Sequence, residues 1–268
     1  MLRAAGCVFA EDEARLLIEQ APTPADLAAM VSQRTAGLPL EHVLGWAQFC
    51  GLRVAVDPGV FVPRRRTEFL VQQATALASQ HNQTSQHNQT GAARAVVVDL
   101  CCGSGAAGAA LAAALGRVEL YAVDLDPAAV RCARRNLAAY GARVYEGDLY
   151  QPLPASLHGR VDVLIANAPY VPTEAIELMP QEARIHEPRA ALDGGADGLA
   201  ILRRVIAAAP LWLAPGGHLL IETGQRQAWQ ATENITSHGL IPKVSRSDDL
   251  NATVIIGARP TTRQAPGS

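Results

Sequence analysis

An uninterrupted apolar run, Val96-Val97-Val98, leads into Asp99-Leu100-Cys101-Cys102-Gly103-Ser104-Gly105-Ala106-Ala107-Gly108 and then into an alanine-rich stretch. A strand covered on both faces reads as continuous hydrophobic sequence. Glycines at the G-x-G-x-x-G spacing let the chain turn tightly out of such a strand, bring backbone close to a ligand and start a helix. The pattern then repeats. Val118–Val123 reads as the next strand, and Asp126-Pro127 opens a helix, with Asp126 as its N-cap, that Gly141 can close. Arg143–Glu146, Val161–Ala166 and His218–Glu222 read as further strands. Helices fit 197–213 and 225–238, and strand-like segments at 243–246 and 253–258 end the pattern. This alternation predicts an α/β fold with a doubly wound, mostly parallel sheet. Ligands of such sheets sit beyond the carboxyl ends of the strands.

The chain before residue 93 has a different character. Residues 11–20 and 24–35 read as short helices, the second capped by Thr23 with Pro24 in its first turn and Asp26 near the positive end of its dipole. Phe49, Leu52, Val54 and Val56 suggest strands turning at Gly51, and a helix follows Thr67. Residues 79–90 are Ser-Gln-His-Asn-Gln-Thr written twice. The segment is polar and has no apolar periodicity, so it reads as a flexible loop or linker, without a rigid element to make His81 and His87 a metal site. The expected organisation is a small helical N-terminal docking region with a hairpin (1–60), a connecting helix and repeat linker (61–92), the main α/β domain (93–259) and a polar, disordered tail (260–268).

Composition narrows the function classes. Of 268 residues, 49% are hydrophobic and 18% charged, and the formal net charge is −2. That length suits one large α/β domain with a small appendage, and the charge marks no obligate polyanion partner. No apolar run approaches the ~20 residues that span a bilayer. Acidic Glu11, Asp12 and Glu13 follow the N-terminal stretch at once, which argues against a signal peptide. Cys7, Cys50, Cys101, Cys102 and Cys132 are spaced for neither a zinc site nor a disulfide framework, so free thiols in a reducing cytoplasm are expected and no metal is.

The glycine loop suits either a dinucleotide or S-adenosylmethionine (SAM). Asp99, four positions before Gly103, decides between them: a carboxylate there repels a pyrophosphate but can pair with the ammonium of SAM. Asp124, at the end of the next strand, is placed to accept hydrogen bonds from both ribose hydroxyls. Asp148, after the third strand, leaves two readings open: a contact to the adenine amino group, or a plain turn residue. Cys101 and Cys102 are small residues beside the turn rather than nucleophiles, because no His or Lys lies near them in sequence. The expected cofactor contacts are Thr67, Asp99, Cys101, Gly103, Gly105, Asp124, Leu125, Asp148, Leu149 and Asn167.

The fourth strand runs into Asn167-Ala168-Pro169-Tyr170. This resembles the Asn-Pro-Pro-Tyr motif of methyltransferases that act on planar nitrogens, namely the DNA adenine enzymes and the HemK/PrmC family of protein-glutamine N-methyltransferases. Further ordered segments resemble the second family. They are Gly37-Leu38-Pro39-Leu40-Glu41-His42-Val43-Leu44-Gly45, Pro63-Arg64-Arg65-Arg66-Thr67-Glu68, Glu187-Pro188 with Ala191-Leu192, and Gly195-Ala196-Asp197-Gly198-Leu199; Glu222-Thr223-Gly224-Gln225 is a looser match. The likeness spans roughly residues 36–258. It implies the seven-stranded fold of class I SAM-dependent methyltransferases. It also implies methyl transfer to the side-chain amide of a glutamine in a protein, a release factor or a ribosomal protein being the kinds of partner concerned.

The chemistry suits the residues. An amide nitrogen is a poor nucleophile because its lone pair is delocalised into the carbonyl. The site must therefore aim it and hold both of its hydrogens, which the Asn167 side-chain oxygen and the carbonyl of Ala168 can do, with Pro169 and Tyr170 completing the loop and Tyr170 packing on the flat amide. By resemblance, Phe61 packs on the glutamine methylenes, and Arg64 and Thr67 lie near the target and the cofactor's methionine end. A DNA adenine enzyme would need a basic target-recognition domain that neither the charge nor the length supplies, so no direct DNA binding is expected. A small-molecule methyltransferase and a SAM-binding protein without catalysis are the other readings.

Overall fold

The computed structural model describes residues 1–87 and 94–261, and side chains within 1–80 and 94–261. The N-terminal region opens with α1 (Ala10–Gln20) and α2 (Pro24–Thr35). The hydroxyl of Thr23 accepts the Asp26 amide at 3.2 Å, the cap expected from the sequence. A short helix that the sequence pattern did not indicate, α3 (Leu40–Leu44), ends at Gly45 with φ 78°. It leads into the antiparallel hairpin β1 (Trp46–Phe49) and β2 (Leu52–Ala55). Cys50 and Gly51 turn this hairpin with φ of 48° and 77°, the left-handed pair that matches the twist of the flanking strands.

Helix α4 (Thr67–His87) buries Leu70, Ala74 and Ala78 completely, a stripe at every fourth residue. The loop reading of 79–90 gives way here. The helix runs on through Ser79–His87, because adding residues to a formed helix costs far less than starting one, and Ser, Gln, Asn and Thr carry only modest penalties. The rest of the duplicated segment, and the tail from 262, lie outside the described residues.

Beyond residue 94 follow β3 (Ala95–Leu100), α5 (Ala106–Leu115), β4 (Val118–Asp124), α6 (Pro127–Leu137), β5 (Arg143–Glu146) and β6 (Val161–Ala166). After them come α7 (Gln181–His186), α8 (Ala200–Trp212), β7 (Leu213–Glu222), α9 (Ala228–Ser237), β8 (Ile241–Ser247) and β9 (Ala252–Ala258). The sheet order is β5-β4-β3-β6-β7-β9-β8, and β9 runs antiparallel to both of its neighbours. This is the mostly parallel, doubly wound seven-stranded sheet expected.

Alternate residues of β3 feed two cores. Val96, Val98 and Leu100 pack with Leu202, Val205 and Ile206 of α8 and with Ile235 of α9. Val97 packs on the opposite side with Leu70 and Ala74 of α4 and Ala109 and Leu111 of α5. The chain winds outward in both directions from β3 and β6, so their carboxyl ends flank the crevice where the order reverses. Register sets what meets there: Leu100 lies beside Ala166, and Ala166 beside Ile221, so Asn167 and Glu222 leave adjacent strands at the same level.

Two arginines tie the N-terminal half to the segment that follows β6. Arg34 of α2 is buried between Glu13 of α1, at 2.7 Å, and Glu182 of α7, at 2.6 Å. Arg64 pairs with Glu187, just after α7, at 2.5 Å. Removing Arg34 would leave Glu13 charged, buried and unpaired, so Arg34→Met should destabilise the protein by ~3–5 kcal/mol. Denaturant unfolding measures this, and the double variant Arg34→Met with Glu13→Leu should recover most of the loss.

Candidate active site

At the carboxyl end of the sheet lies a cavity of about 370 Å³. Its walls include Cys101 after β3, Asp124 and Leu125 after β4, Asp148 and Leu149 after β5, and Asn167 and Pro169 after β6. Phe61, Ile201 and Arg204 close it from other elements. A smaller cavity of about 40 Å³ continues from it, sharing Phe61, Cys101 and Asn167 and adding Thr67, Asp99 and Ser104.

The glycine turn shapes this floor. Cys102 N–H donates to Val123 O at 3.0 Å, and Gly103 N–H to Asp124 Oδ2 at 2.8 Å, which ties the loop to the end of the neighbouring strand. Gly105 has φ 78°, and a Cβ there would come within 3.1 Å of Ala133 and Leu137, so helices α5 and α6 meet over a residue without a side chain. Cys101 (φ 56°) and Leu149 (φ 51°) adopt the left-handed conformation without being glycine, and both line the large cavity. Such conformations cost on the order of 1 kcal/mol or more each and cluster where a site needs a particular backbone path.

The strand-end acids are buried. Asp99, 2% exposed, accepts the Gly108 amide at 3.0 Å. Burial pushes its carboxyl up to about 7, against the pull of that amide, and the nearby Asp124 adds to the rise. Burial also raises the Asp124 carboxyl, opposed by the amides of Asp126 and Gly103. Asp126 caps α6 through Ala128 N–H at 2.8 Å, the role read from the sequence. Asp148 faces the cavity with its carboxylate held by Arg204 at 2.6 Å.

The loop after β6 joins this site to the N-terminal half. Asn167 lines both cavities, and its Nδ2 donates to the hydroxyl of Thr67, at the start of α4, at 3.3 Å. That bond turns Oδ1 the other way, free to accept. Ala168 is buried and Pro169 faces the large cavity. Tyr170 lines neither cavity. Its hydroxyl donates to Glu222 at 3.0 Å, and the Arg66 guanidinium sits 5.6 Å from its ring centroid. Burial pushes its phenol well up, with the Glu222 charge adding to the shift.

Phe61 belongs to both cavities, and Arg64 lies 4.9 Å over its ring rather than at the cavity wall. Glu187 organises this strap, accepting Val62 N–H at 3.1 Å and pairing with Arg64. The sequence pattern singled out Glu187-Pro188 only as a motif. Its structural role, and the wall formed by Pro188, Ala190, Ala191, Ile201 and Arg204, depend on long-range packing that no local spacing reveals.

Comparison with known proteins identifies the family. The family model described as the methyltransferase small domain matches residues 52–197. A release factor glutamine methyltransferase of Geobacter sulfurreducens is 36% identical over 241 residues, covering 88% of this chain and 79% of the relative. One from Mycolicibacterium smegmatis is 37% identical over 243 residues, covering 89% and 82%. The chain belongs to the release factor glutamine methyltransferase family. That family is SAM-dependent, and the cofactor is S-adenosylmethionine. One relative within reach of this family acts under another name: a 4-amino-L-phenylalanine/4-methylamino-L-phenylalanine methyltransferase of Streptomyces pristinaespiralis. It is 35% identical over 206 residues, covering 77% of this chain and 68% of the relative.

Solved structures bear on the fold of this family member. The hMettl16 catalytic domain in complex with an RNA hairpin aligns with TM-score 0.56 at 14% identity, covering 89% of this chain and 84% of that one. The Thermus thermophilus 16S rRNA N2 G1207 methyltransferase aligns with TM-score 0.52 at 17% identity, covering 80% and 49%. Among the described residues no group of His, Cys, Asp or Glu is arranged to hold a metal ion, and no helix is long and apolar enough to cross a membrane.

Burial raises the thiols of Cys101 and Cys102 well above the ordinary range, and the surrounding carboxylates Asp99 and Asp124 add to it. Both sulfurs therefore stay protonated at pH 8 and are poor nucleophiles. Iodoacetamide labelling followed by peptide mass spectrometry should find them unmodified in the folded protein and alkylated after denaturation.

Proposed function

We propose that this chain transfers the methyl group of SAM to the side-chain amide nitrogen of a glutamine in a protein, with Asn167 and the Ala168 carbonyl aiming the nitrogen. The observation that carries the reading is the position of Asn167, which borders both cavities while its own amide is locked on Thr67. When bound, SAM supplies a sulfonium methyl as the electrophile. The cavity's chemistry suits it. Asp124 offers a carboxylate at ribose height, Leu125, Leu149 and Ile201 form an apolar slot, Asp148 borders that slot as an acceptor for an adenine amino group, and Asp99 waits in the adjoining small cavity for an ammonium.

The acceptor amide brings two N–H groups into a dry site, and leaving them unpaired would be costly. Oδ1 of Asn167 takes one and the carbonyl of Ala168 the other. Both bonds hold the nitrogen and draw electron density toward it. Phe61 supplies an apolar face for the glutamine methylenes, with Arg64 and Glu187 fixing that face from behind. No strong general base is needed, since the proton can leave after the transfer. Ala168 provides the same carbonyl as the proline found there in the family motif, without the ring that would stiffen the loop.

Release factor is the partner the family relationship supports, the N-terminal region being the docking surface and the cytoplasm the compartment. A second reading rests on the Streptomyces pristinaespiralis relative, whose name gives a free aromatic amine as acceptor. Labelled SAM offered separately with release factor, ribosomal protein, 4-amino-L-phenylalanine and DNA decides between them. Label on a glutamine of release factor supports the reading, and label only on the free amino acid overturns it.

Asn167→Ala should lower methyl transfer by ~100-fold or more while weakening SAM binding far less, because Asn167 is the main aiming group for the amide but only one of several residues that border the cofactor cavity. Single-turnover methylation with calorimetry alongside measures both.

SAM affinity should also follow pH through Asp99. In the free protein its carboxyl titrates at about 7, whereas an ammonium partner demands the ionised form. Below that pH, binding must expel a proton, so the dissociation constant should weaken roughly tenfold per unit. Above ~8 the cofactor's own α-amino group deprotonates and affinity should fall again. Titration calorimetry across pH 5.5–9 tests for this maximum, which Asp99→Asn should flatten on the acid side.

A further inference from the structure

The two ends of Tyr170 are held by one short segment, Glu222–Gln227, at the carboxyl end of β7. Glu222 accepts the Tyr170 hydroxyl at 3.0 Å. Gln227 holds the other end. Its Nε2 donates to the carbonyls of Tyr170 and Asp197, each at 2.9 Å, and its Oε1 accepts Gly224 N–H at 3.1 Å and the Thr223 hydroxyl at 3.2 Å. The amide is thus fully used, and the side chain is buried in a protein-lined slot. The slot leaves no room. A Cβ on Gly198 would collide with Gln227 Nε2 and with the Tyr170 carbonyl, and one on Gly194 would lie 2.7 Å from the Pro169 carbonyl. The chain leaving Tyr170 is then pinned by Val171 N–H to Leu192 O at 3.0 Å and by Gly194 N–H to Val171 O at 2.8 Å.

From this we infer that Gln227 is a positioning residue for methyl transfer. It touches neither cavity, yet it clamps the carbonyl three residues beyond Asn167 to the 194–198 turn. Between Asn167 and the clamp lie the buried Ala168, whose carbonyl is the second acceptor, and Pro169, whose φ is fixed by its ring. Few dihedrals are left to absorb a shift, so movement of the Tyr170 carbonyl displaces both acceptors. The inference rests on the reading that Asn167 and Ala168 hold the target amide.

Gln227→Glu keeps the shape and both acceptor bonds of Oε1 but turns the donor into a carboxylate oxygen facing two carbonyls. Gln227→Met keeps the length with no hydrogen bonds. With release factor as acceptor, Gln227→Glu should lower kcat by ~30-fold or more, with KM for the partner and SAM affinity held within about threefold, because only alignment is lost. The ratio of its kcat to that of the parent should climb as pH falls, since a protonated glutamate can again donate to the Tyr170 carbonyl, a recovery that loss of packing would not produce. Gln227→Met should show the same loss without the pH-dependent recovery. Hydrogen exchange read by mass spectrometry should speed up over 167–173 and 194–199 in both variants and stay unchanged at the Asp99–Gly108 turn. Parent-like kcat in both variants, or unchanged exchange over 167–173, overturns the inference. A parent protein that methylates none of the acceptors defeats the functional reading, and the exchange measurement then still decides whether Gln227 is the clamp.

Discussion

Because β3 is covered on both faces, its alternate residues must satisfy two separate cores, and this constraint sets the position of everything chemical in the molecule. Val96, Val98 and Leu100 commit one face to α8 and α9, while Val97 commits the other to α4 and α5. Asp99 inherits the second face by simple alternation. Its carboxylate therefore lands under α5, within reach of Gly108 N–H, instead of in solvent. A one-residue slip would exchange Asp99 for an apolar residue and remove its carboxylate from the small cavity. The same sheet brings Asp124, Asn167 and Glu222 to one edge, because parallel strands with registered ends deliver their following residues at one level.

That edge concentrates acids in a dry place, and the protein handles them in two ways. Among the described residues Asp99 and Asp124 accept backbone amides and no side-chain donor, and burial raises both carboxyls. Glu187 and Glu222 instead receive arginines from the segment just before α4, Arg64 at 2.5 Å and Arg66 at 3.2 Å. These second pairs do not bear on the cofactor. They anchor the strap that carries Phe61 over the cavity, and they neutralise acids that also hold Val62 and Tyr170. Two arginines of the run Arg64-Arg65-Arg66 are thus paired within the chain.

The sheet was legible in the sequence because its signals are local. Apolar runs of strand length, Asp126-Pro127 at a helix start and Gly141 at its end each carry their own mechanism, and the structure places them within a few residues of expectation. The crevice at the strand ends was legible for the same reason, since strand-end residues follow from strand assignment. Other features were not. Helix α4 extends into Ser79–His87 because an apolar stripe earlier in the helix had already met the cost of starting it, which a window over the polar repeat cannot see. The Tyr170 hydroxyl is anchored on Glu222, a residue 52 positions away, which no local spacing reveals. Gln227 stands at the end of the Glu222–Gln227 segment whose start the sequence marked, but the carbonyl it holds lies 57 residues away, and no local pattern points to it.

The proposed function bears on how relatives of this chain can be named for acceptors as different as a release factor glutamine and a free aromatic amine. Both present a planar nitrogen whose lone pair is delocalised, so both need acceptors for N–H groups more than they need a base. In the proposed function Asn167 and the Ala168 carbonyl answer that need, from the loop that directly follows β6. What distinguishes the acceptors is the space around the nitrogen, and here that space is built by the strap at Phe61 and by the wall from Pro188 to Ala191. Those pieces hang on ion pairs to the N-terminal half, Arg34 with Glu182 and Arg64 with Glu187. On the proposed function, selectivity can therefore drift by changes in the N-terminal region and the α7 segment while the loop after β6 stays held by Thr67 and Gln227.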